Sequence, residues 1–411
     1  MVHALEGYRM LDFGTAWAGP QVGGILADMG MEVIKIETRT KLDGSRMGRP
    51  LVGADIAGGD EGKWPDMQPT FHGINRNKLS FTIDLKQPKS RDIITRLIKM
   101  TDVVLDNSSP GVMERLGLDH GSLEVIRPDI ISISLTGCGE SGPIMDANVY
   151  APLIISLGGL QSMTGYYGED IPMNVIFAYG DCNASIHAAF AVLAALWHRE
   201  KAGKGQHIEL AECWAVTNLL GEAIMEYCMN ARIMKPRGNR HPSMSPHNAY
   251  RCKGEDKWVT IAVNTEEEWE AFCRAIGRPN WSKEERFANK YNRLRNQEEL
   301  DKLVTEWTVN YTPYEVMDIL QQVKVAAIPV MNVEDQYTDP HFSERQIYVT
   351  VEHPLVGIET LYANPLRLDK TPYEIRRHAP ALGEHNDYVL GELLGMSKEE
   401  IASLQQEKVV Y

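Results

Sequence analysis

The first forty residues constrain the fold most. Residues 8–13 are short and apolar at Met10, Leu11 and Phe13, and Gly14 and the Ala18-Gly19-Pro20 turn come after them. Residues 21–29 have helical character and stop at Gly30. Glu32–Glu37, reading EVIKIE, then alternates as a strand does. Strand, helix and strand in this order make a βαβ unit. Such a unit is parallel and right-handed, and it offers ligands the carboxyl ends of its strands. The pattern continues with a strand at 79–85, a helix at 89–100 and strands at Val103–Asp106 and 130–135. The expected class is therefore α/β, with a Rossmann-like parallel sheet. The phosphate-loop lysine motif and the G-x-G-x-x-G fingerprint are both missing, which argues against an ordinary nucleotide site.

The texture changes near residue 225. Residues 233–250 are rich in Arg, Asn, His and Pro, a loop composition. A strand at 258–263 and helices at 266–276 and 297–307 follow, and apolar segments return at 326–333. A charged helix closes the chain at 397–406. These shifts predict a large domain from 1–225 and 326–411, both chain ends contributing, with a smaller α+β domain inserted at 226–325.

Composition excludes several functions. Of 411 residues, 42 are basic and 56 acidic, so the net charge is −14, and 43% are hydrophobic. That apolar fraction is too high for a disordered chain, and the mean field repels nucleic acid. The longest apolar run, 188–197, is half of the ~20 residues a membrane helix needs. The N-terminal stretch lacks the basic head and apolar core of a signal peptide. Six scattered cysteines without a C-x-x-C pair argue against zinc or a disulfide framework and for small buried thiols in a reducing compartment. The expected setting is cytoplasmic, with no nucleic-acid or membrane partner.

The stretch with most chemical promise is Phe177-Ala178-Tyr179-Gly180-Asp181-Cys182-Asn183-Ala184-Ser185. Ile186, Phe190, Leu193 and Trp197 then form an apolar stripe, which starts a helix at Asp181. Asp181 stands where an N-cap stands. It is either a cap, worth ~1 kcal/mol, or a carboxylate nucleophile kept ionised by the helix dipole, with N–H groups nearby to steady a developing charge. Position alone does not choose.

Other chemistries find less support. H-E-x-x-H is missing, and Gly139-Glu140-Ser141-Gly142-Pro143 is not a G-x-S-x-G elbow. No histidines show metal-ligand spacing; His241 and His247 read as loop residues, and His187 as a core histidine beside the stripe. Two polar turns at strand edges, Gly73-Ile74-Asn75-Arg76-Asn77-Lys78 and Asp106-Asn107-Ser108-Ser109-Pro110-Gly111 with Arg115, suit a phosphorylated small molecule as well as they suit solvated loops.

On these residues the chain resembles the class III coenzyme A transferases, of CaiB/BaiF type. The likeness runs through Leu11-Asp12-Phe13, Ala18-Gly19-Pro20, Val33-Ile34-Lys35-Ile36-Glu37, Asn75-Arg76-Asn77-Lys78, Asn107-Ser108-Ser109-Pro110-Gly111 and Arg115-Leu116-Gly117. It continues in Ser134-Leu135-Thr136-Gly137, Gly180-Asp181, Gly203-Lys204-Gly205-Gln206, Arg237-Gly238-Asn239 and Gly383-Glu384-His385. The resemblance implies an interlocked dimer, or a heteromer with a related chain. It implies acyl-CoA and carboxylic acid substrates, with no permanently bound cofactor and no metal. It places the catalytic aspartate on Asp181, carrying an acyl anhydride and then an aspartyl-CoA thioester. It places CoA contacts on Trp17, Ala18, Ile74, Asn75, Arg76, Asn77, Asn107, Ser108, Arg115, Thr136 and Gly137.

Three departures narrow the substrate. Trp17 stands where some members have glutamine, Thr136 where some have lysine, and Ser243-Met244-Ser245-Pro246 where the oxalate enzymes carry a glycine-rich loop. An indole favours a bulky or aromatic acid, such as benzylsuccinate, with succinyl-CoA as donor. Formyl-CoA or carnitine-type transfer is an alternative. So is an α-methylacyl-CoA racemase, but Asp146 falls near the position where the racemase pattern has histidine. A non-catalytic subunit is disfavoured because Gly180-Asp181 is retained.

Overall fold

The computed structural model describes residues 3–50, 60–169, 171–175 and 177–411. They divide into two compact units. The first comprises Met1–Leu160, Asn174–Met229 and Gln346–Tyr411, and the second Gln161–Met173 and Asn230–Arg345.

In the first unit the order is β1 (Arg9–Asp12), α1 (Ala18–Asp28), β2 (Glu32–Glu37), α2 (Pro69–Asn75), β3 (Leu79–Thr82), α3 (Ser90–Ile98) and β4 (Val103–Asp106). Then come α4 (Val112–Leu116), α5 (His120–Ile126), β5 (Ile131–Thr136), α6 (Ala151–Leu157), α7 (Tyr179–Ala202), β6 (Gln206–Ala211), α8 (Glu212–Thr217) and α9 (Gly221–Asn230). The six strands form one sheet, ordered β3-β2-β1-β4-β5-β6, and every pair is parallel. This is the doubly wound order. Its crevice opens where the winding reverses, between the carboxyl ends of β1 and β4.

The strands bury both faces through their period of two. Leu11, Ile34, Phe81 and Val104 pack on one side with Ile93, Leu97, Val389, Leu390 and Ile401. Met10, Val33, Leu105 and Ile133 pack on the other with Val22, Leu26, Ala188, Val192 and Leu196. The chain end thus supplies core residues to the first layer, and Val410 bridges Ile83.

Strands β2 and β4 form over the ranges that alternation predicts. Strand β6 went unread because it is an edge strand with exposed Gln206, His207 and Glu209, and its apolar period rests on Ile208 and Leu210 alone. Helix α7 corrects two expectations. Asp181 is its third residue and not its cap, because the Cys182 N–H already bonds the Ala178 carbonyl at 2.9 Å. The stripe of Ile186, Phe190 and Trp197 turns outward and is exposed, with Leu193 half-buried. The buried face carries Ala184, Ser185, Ala188 and Ala195 together with Val192 and Leu196, and its small residues let α7 lie close against α1. His187 is half-buried, its Nδ1 2.9 Å from the Asn183 carbonyl oxygen.

The second unit holds an antiparallel sheet of β7 (His247–Arg251), β8 (Trp258–Ala262) and β9 (Ala326–Val330). Helices α10 (Glu266–Ala275), α11 (Lys290–Arg295), α12 (Gln297–Thr308) and α13 (Pro313–Gln321) precede β9. Helices α14 (Val333–Thr338) and α15 (Pro340–Glu344) come after it. Its core contains Tyr250, Val259, Trp269, Phe272, Phe287 and Leu300. The apolar segment at 326 therefore pairs with β8. Back in the first unit come a hairpin, β10 (Tyr348–His353) and β11 (Gly357–Tyr362), and the final helix α16 (Lys398–Gln406). No helix among the described residues is long and apolar enough to cross a membrane.

Candidate active site

The crevice is held open by a buried ionic network. Asp12 ends β1 and is fully buried; its Oδ2 accepts from Lys78 Nζ at 2.7 Å and its Oδ1 from the Gly14 N–H at 2.8 Å. Lys78 also donates to the Pro20 carbonyl and to Asn75 Oδ1. Burial pulls the Lys78 ammonium down to about 8, against the opposing pull of Asp12. Lys35, on β2, donates to the Gly14 carbonyl and pairs with Asp43 at 2.8 Å. Burial pushes the Asp43 carboxyl up, but Lys35 outweighs it and leaves the group at about 2. Asp43 in turn accepts from the Ala16 N–H. From the far side Asn107, after β4, exchanges two hydrogen bonds with the Thr15 backbone, at 2.8 and 2.9 Å. Gly23 is required here, since a Cβ on it would stand 2.8 Å from Asp12 Oδ2.

Helix α7 starts beside this loop. Ser185 Oγ lies 2.8 Å from the Ala18 carbonyl oxygen and 2.7 Å from that of Asp181, tying α7 to α1. Asn183 Nδ2 donates to the Ala215 carbonyl at 2.8 Å, tying it to α8. Trp17 is half-buried, its Nε1 donating to Gln21 Oε1 at 2.8 Å, and it lies close enough to Cys182 to act on that thiol.

A cavity of about 470 Å³ lies at this crevice, and Asp181 is part of its wall. Thr15 and Ala16 line it from β1, Asn107 and Ser108 from β4, and Thr136 and Gly137 from β5. Three of its residues each keep a buried side-chain oxygen without a hydrogen-bond partner among the described residues: Asp181 Oδ2, Thr136 Oγ1 and Glu212 Oε2. Such groups cost free energy in a closed protein, and a ligand or solvent that reaches them offsets that cost. Burial pushes Asp181 up to about 6, against the pull of its own backbone N–H. The dipole of α7 therefore does not overcome desolvation, although the group is still mainly ionised at pH 7. Gly180 sits against α6: a Cβ there would approach Ile154 Cγ2 to 2.7 Å. Gly180→Ala is expected to cost about 1–3 kcal/mol through overpacking, read as a lower thermal midpoint together with reduced activity.

The expected contacts do not all come together. Asn107, Ser108, Thr136, Gly137 and Asp181 are brought to one cavity. Ile74, Asn75, Arg76 and Asn77 are buried away from its lining. Arg76 is not a free cation for phosphate: its Nη2 pairs with the fully buried Asp28 at 2.7 Å and its guanidinium lies over the Tyr362 ring. Asn77 Nδ2 bonds Asp28 as well, and Asn75 bonds the Phe71 carbonyl. Arg115 lines a different cavity, of about 670 Å³, with Arg91 and Lys86. Trp17 and Ala18 are outside the lining and next to α7, through Cys182 and Ser185.

Sequence reading missed Lys41, Tyr150 and Glu212, which also line the site. Lys41 and Tyr150 sit outside any motif. Glu212 had a usable signal, an acidic residue directly after the Gln206–Ala211 strand, but that strand went unread. Among the described residues no group of three or more His, Cys, Asp or Glu could hold a metal ion.

Comparison with known proteins agrees over the whole chain. The sequence profile of CoA-transferase family III matches residues 5–386. The chain is 32% identical to the succinyl-CoA–D-citramalate CoA-transferase of Chloroflexus aurantiacus, over 99% of this chain and 98% of that protein. It is 31% identical to a formyl-CoA:oxalate CoA-transferase of Bradyrhizobium, over 98% and 96%. The crystal structure of a CaiB/BaiF family protein from Brucella suis superposes with a TM-score of 0.85 at 28% identity, over 96% of this chain and all of that one. This protein belongs to CoA-transferase family III and is a CoA-transferase.

Proposed function

We propose that the enzyme moves CoA from an acyl-CoA donor to a carboxylic acid acceptor with Asp181 as the covalent carrier. The carrying observation is the Asp181 carboxylate at the wall of the cavity, with one buried oxygen unpartnered and two further unpartnered buried oxygens, on Thr136 and Glu212, in the same wall. In the first step an Asp181 oxygen bonds to the thioester carbonyl carbon, the C–S bond breaks, and CoA leaves as thiolate. The thiolate then attacks the Asp181 carbonyl of the mixed anhydride, releasing the donor acid and forming an aspartyl-CoA thioester. The acceptor carboxylate repeats the two steps in reverse, and Asp181 is regenerated. The covalent route keeps the thioester free energy from water.

Asn107, Ser108, Thr136 and Gly137 are assigned direct contact with CoA, and Lys41 is the cation facing it. Trp17, Ala18, Ile74, Asn75, Arg76 and Asn77 are assigned a supporting role through the β1–α1 loop and α2. Arg115 acts on the Ser109-Pro110-Gly111 turn, where its Nη1 lies 3.1 Å from the Cβ position of Gly111.

The donor in this reading is succinyl-CoA, supported by the relative that uses it. The acceptor is an acid with an apolar body, supported by Val149, Tyr150 and Ile154 in the wall. The racemase alternative lacks support: no histidine lines the cavity among the described residues, and Asp146 does. The test is a screen of succinyl-CoA and formyl-CoA against D-citramalate, benzylsuccinate, cinnamate, carnitine and oxalate, read by chromatography of the CoA esters. Transfer from succinyl-CoA to a bulky acid is expected; transfer to oxalate alone contradicts the substrate assignment.

The working form is a dimer, with an identical or a related chain. Supporting this, Ile186, Phe190 and Trp197 on α7 and Tyr227 and Met229 on α9 are large, apolar and exposed. Light scattering is expected to give twice the monomer mass. A cytoplasmic location fits six cysteines that are all free.

A further inference from the structure

We propose that Glu212 is a second catalytic residue of this site: as a neutral carboxylic acid it donates its O–H to the oxyanion that forms when Asp181 attacks the thioester carbonyl. The inference rests on the transferase reading above and adds to it the group that stabilises the transition state.

Three observations carry it. Glu212 is the first residue of α8, only 6% exposed, and it lines the same cavity as Asp181. Its Oε2 is shielded and has no hydrogen-bond partner among the described residues, so no neighbouring donor stabilises an ionised form there. Lastly, Asp181 shares the cavity, and two carboxylates in one desolvated space do not both ionise readily. The environments separate the pair. Burial, and then the charge of Asp181, push Glu212 up to about 8, while Asp181 lies at about 6. Between these values one carboxyl is a nucleophile and the other a donor.

The surroundings offer few competing charges. The helix α7, packed on α8, contributes Asp181, Cys182 and His187 at its start. The β6 strand contributes His207 and Glu209, which are engaged with Glu140: His207 Nε2 lies 2.9 Å from Glu140 Oε2, and Glu209 Oε1 accepts from the Glu140 N–H. The α6 helix brings no titratable side chain, and Cys213 follows Glu212 on α8. Lys41, Asp146 and Tyr150 complete the titratable wall. The charge that bears on Glu212 is that of Asp181.

In the step itself the Asp181 O–C bond forms and the carbonyl π pair moves onto oxygen, where the Glu212 O–H receives it. When the oxyanion collapses, the C–S bond breaks and its pair leaves with sulfur as thiolate. Glu212 keeps its proton throughout, so each later tetrahedral adduct meets the same donor. Such a donor is buried, and a preorganised donor in a desolvated position is worth more than one in solution.

The test compares wild type, Glu212→Ala and Glu212→Gln with the donor–acceptor pair that wild type turns over fastest in the screen. Wild-type kcat is expected to rise with pH through about 6, as Asp181 ionises, and to fall through about 8, as Glu212 ionises. Glu212→Ala is expected to lower kcat by about 10²–10³-fold with a small change in KM. Glu212→Gln keeps an N–H donor; it is expected to recover about tenfold of that loss and to remove the alkaline fall. At pH 7 a protonated-carboxyl infrared band should be present in wild type and absent from Glu212→Gln, a readout that needs no turnover. A Glu212→Ala enzyme with near wild-type kcat, an unchanged alkaline fall in Glu212→Gln, or no difference in the infrared band overturns the role of Glu212 and leaves the transferase reading in place. A wild-type enzyme that transfers CoA to none of the acids removes that reading, and this inference with it.

Discussion

Asp181→Asn is expected to abolish CoA transfer while leaving the fold and CoA binding intact. The amide is isosteric with the carboxylate, but its oxygen is a poor nucleophile and forms no anhydride. Without the covalent carrier the loss should reach at least about 10⁴-fold, roughly 5.5 kcal/mol of barrier. Calorimetric titration with free CoA is expected to show affinity within about threefold of wild type, since CoA contacts lie on other residues. A thermal signature accompanies the loss of activity. Burial raises Asp181 from 3.8 to about 6 in the folded chain. Its contribution to stability is therefore complete below pH 3.8 and is lost as pH rises through about 6. Asparagine removes that loss, so the variant should melt higher than wild type at pH 8 and not at pH 4. Equal melting differences at both values would contradict the desolvated carboxylate.

The second large effect concerns the network that shapes the crevice. Lys78→Met leaves Asp12 fully buried and without its cation, and also releases the Pro20 carbonyl and Asn75 Oδ1. Removing one partner of a buried pair costs about 3–5 kcal/mol. In a unit of this size that shifts the thermal midpoint on the order of 10 °C. The double variant Asp12→Asn/Lys78→Met removes the stranded charge, so it should recover most of the shift. A double variant no more stable than Lys78→Met would mean that Lys78 acts by packing rather than by neutralising Asp12. Activity should fall in the single variant even below its midpoint, because Lys78 holds Asp12, whose Oδ1 accepts from the Gly14 N–H at the start of the loop carrying Thr15 and Ala16.

The parallel sheet is legible because its buried strands declare themselves: EVIKIE alternates and VVLD is a short apolar run. The site is legible only in part. Asp181 stands out by its glycine and the small residues around it, and Asn107-Ser108 by its place after a strand. The turn at Gly73–Lys78, like the Asn107 turn, is polar and stands at a strand edge, but it has a different fate. Asp28, nearly fifty positions away, comes to lie against Arg76 and takes up its charge, and nothing local encodes that meeting. The direction of α7 was missed for a related reason. Its large apolar residues suggested the core, but the face that packs on α1 is the one with Ala184, Ser185, Ala188, Val192 and Leu196. Glu212 was hidden by a polar edge strand.

The most direct measurement is peptide mass spectrometry of the enzyme quenched with hydroxylamine during turnover of succinyl-CoA and an acceptor acid. A hydroxamate on the peptide that contains Asp181, formed only when acyl-CoA is present, is the expected result. Full transfer activity with that peptide unmodified and the label on another residue, or on none, would contradict a covalent role for Asp181.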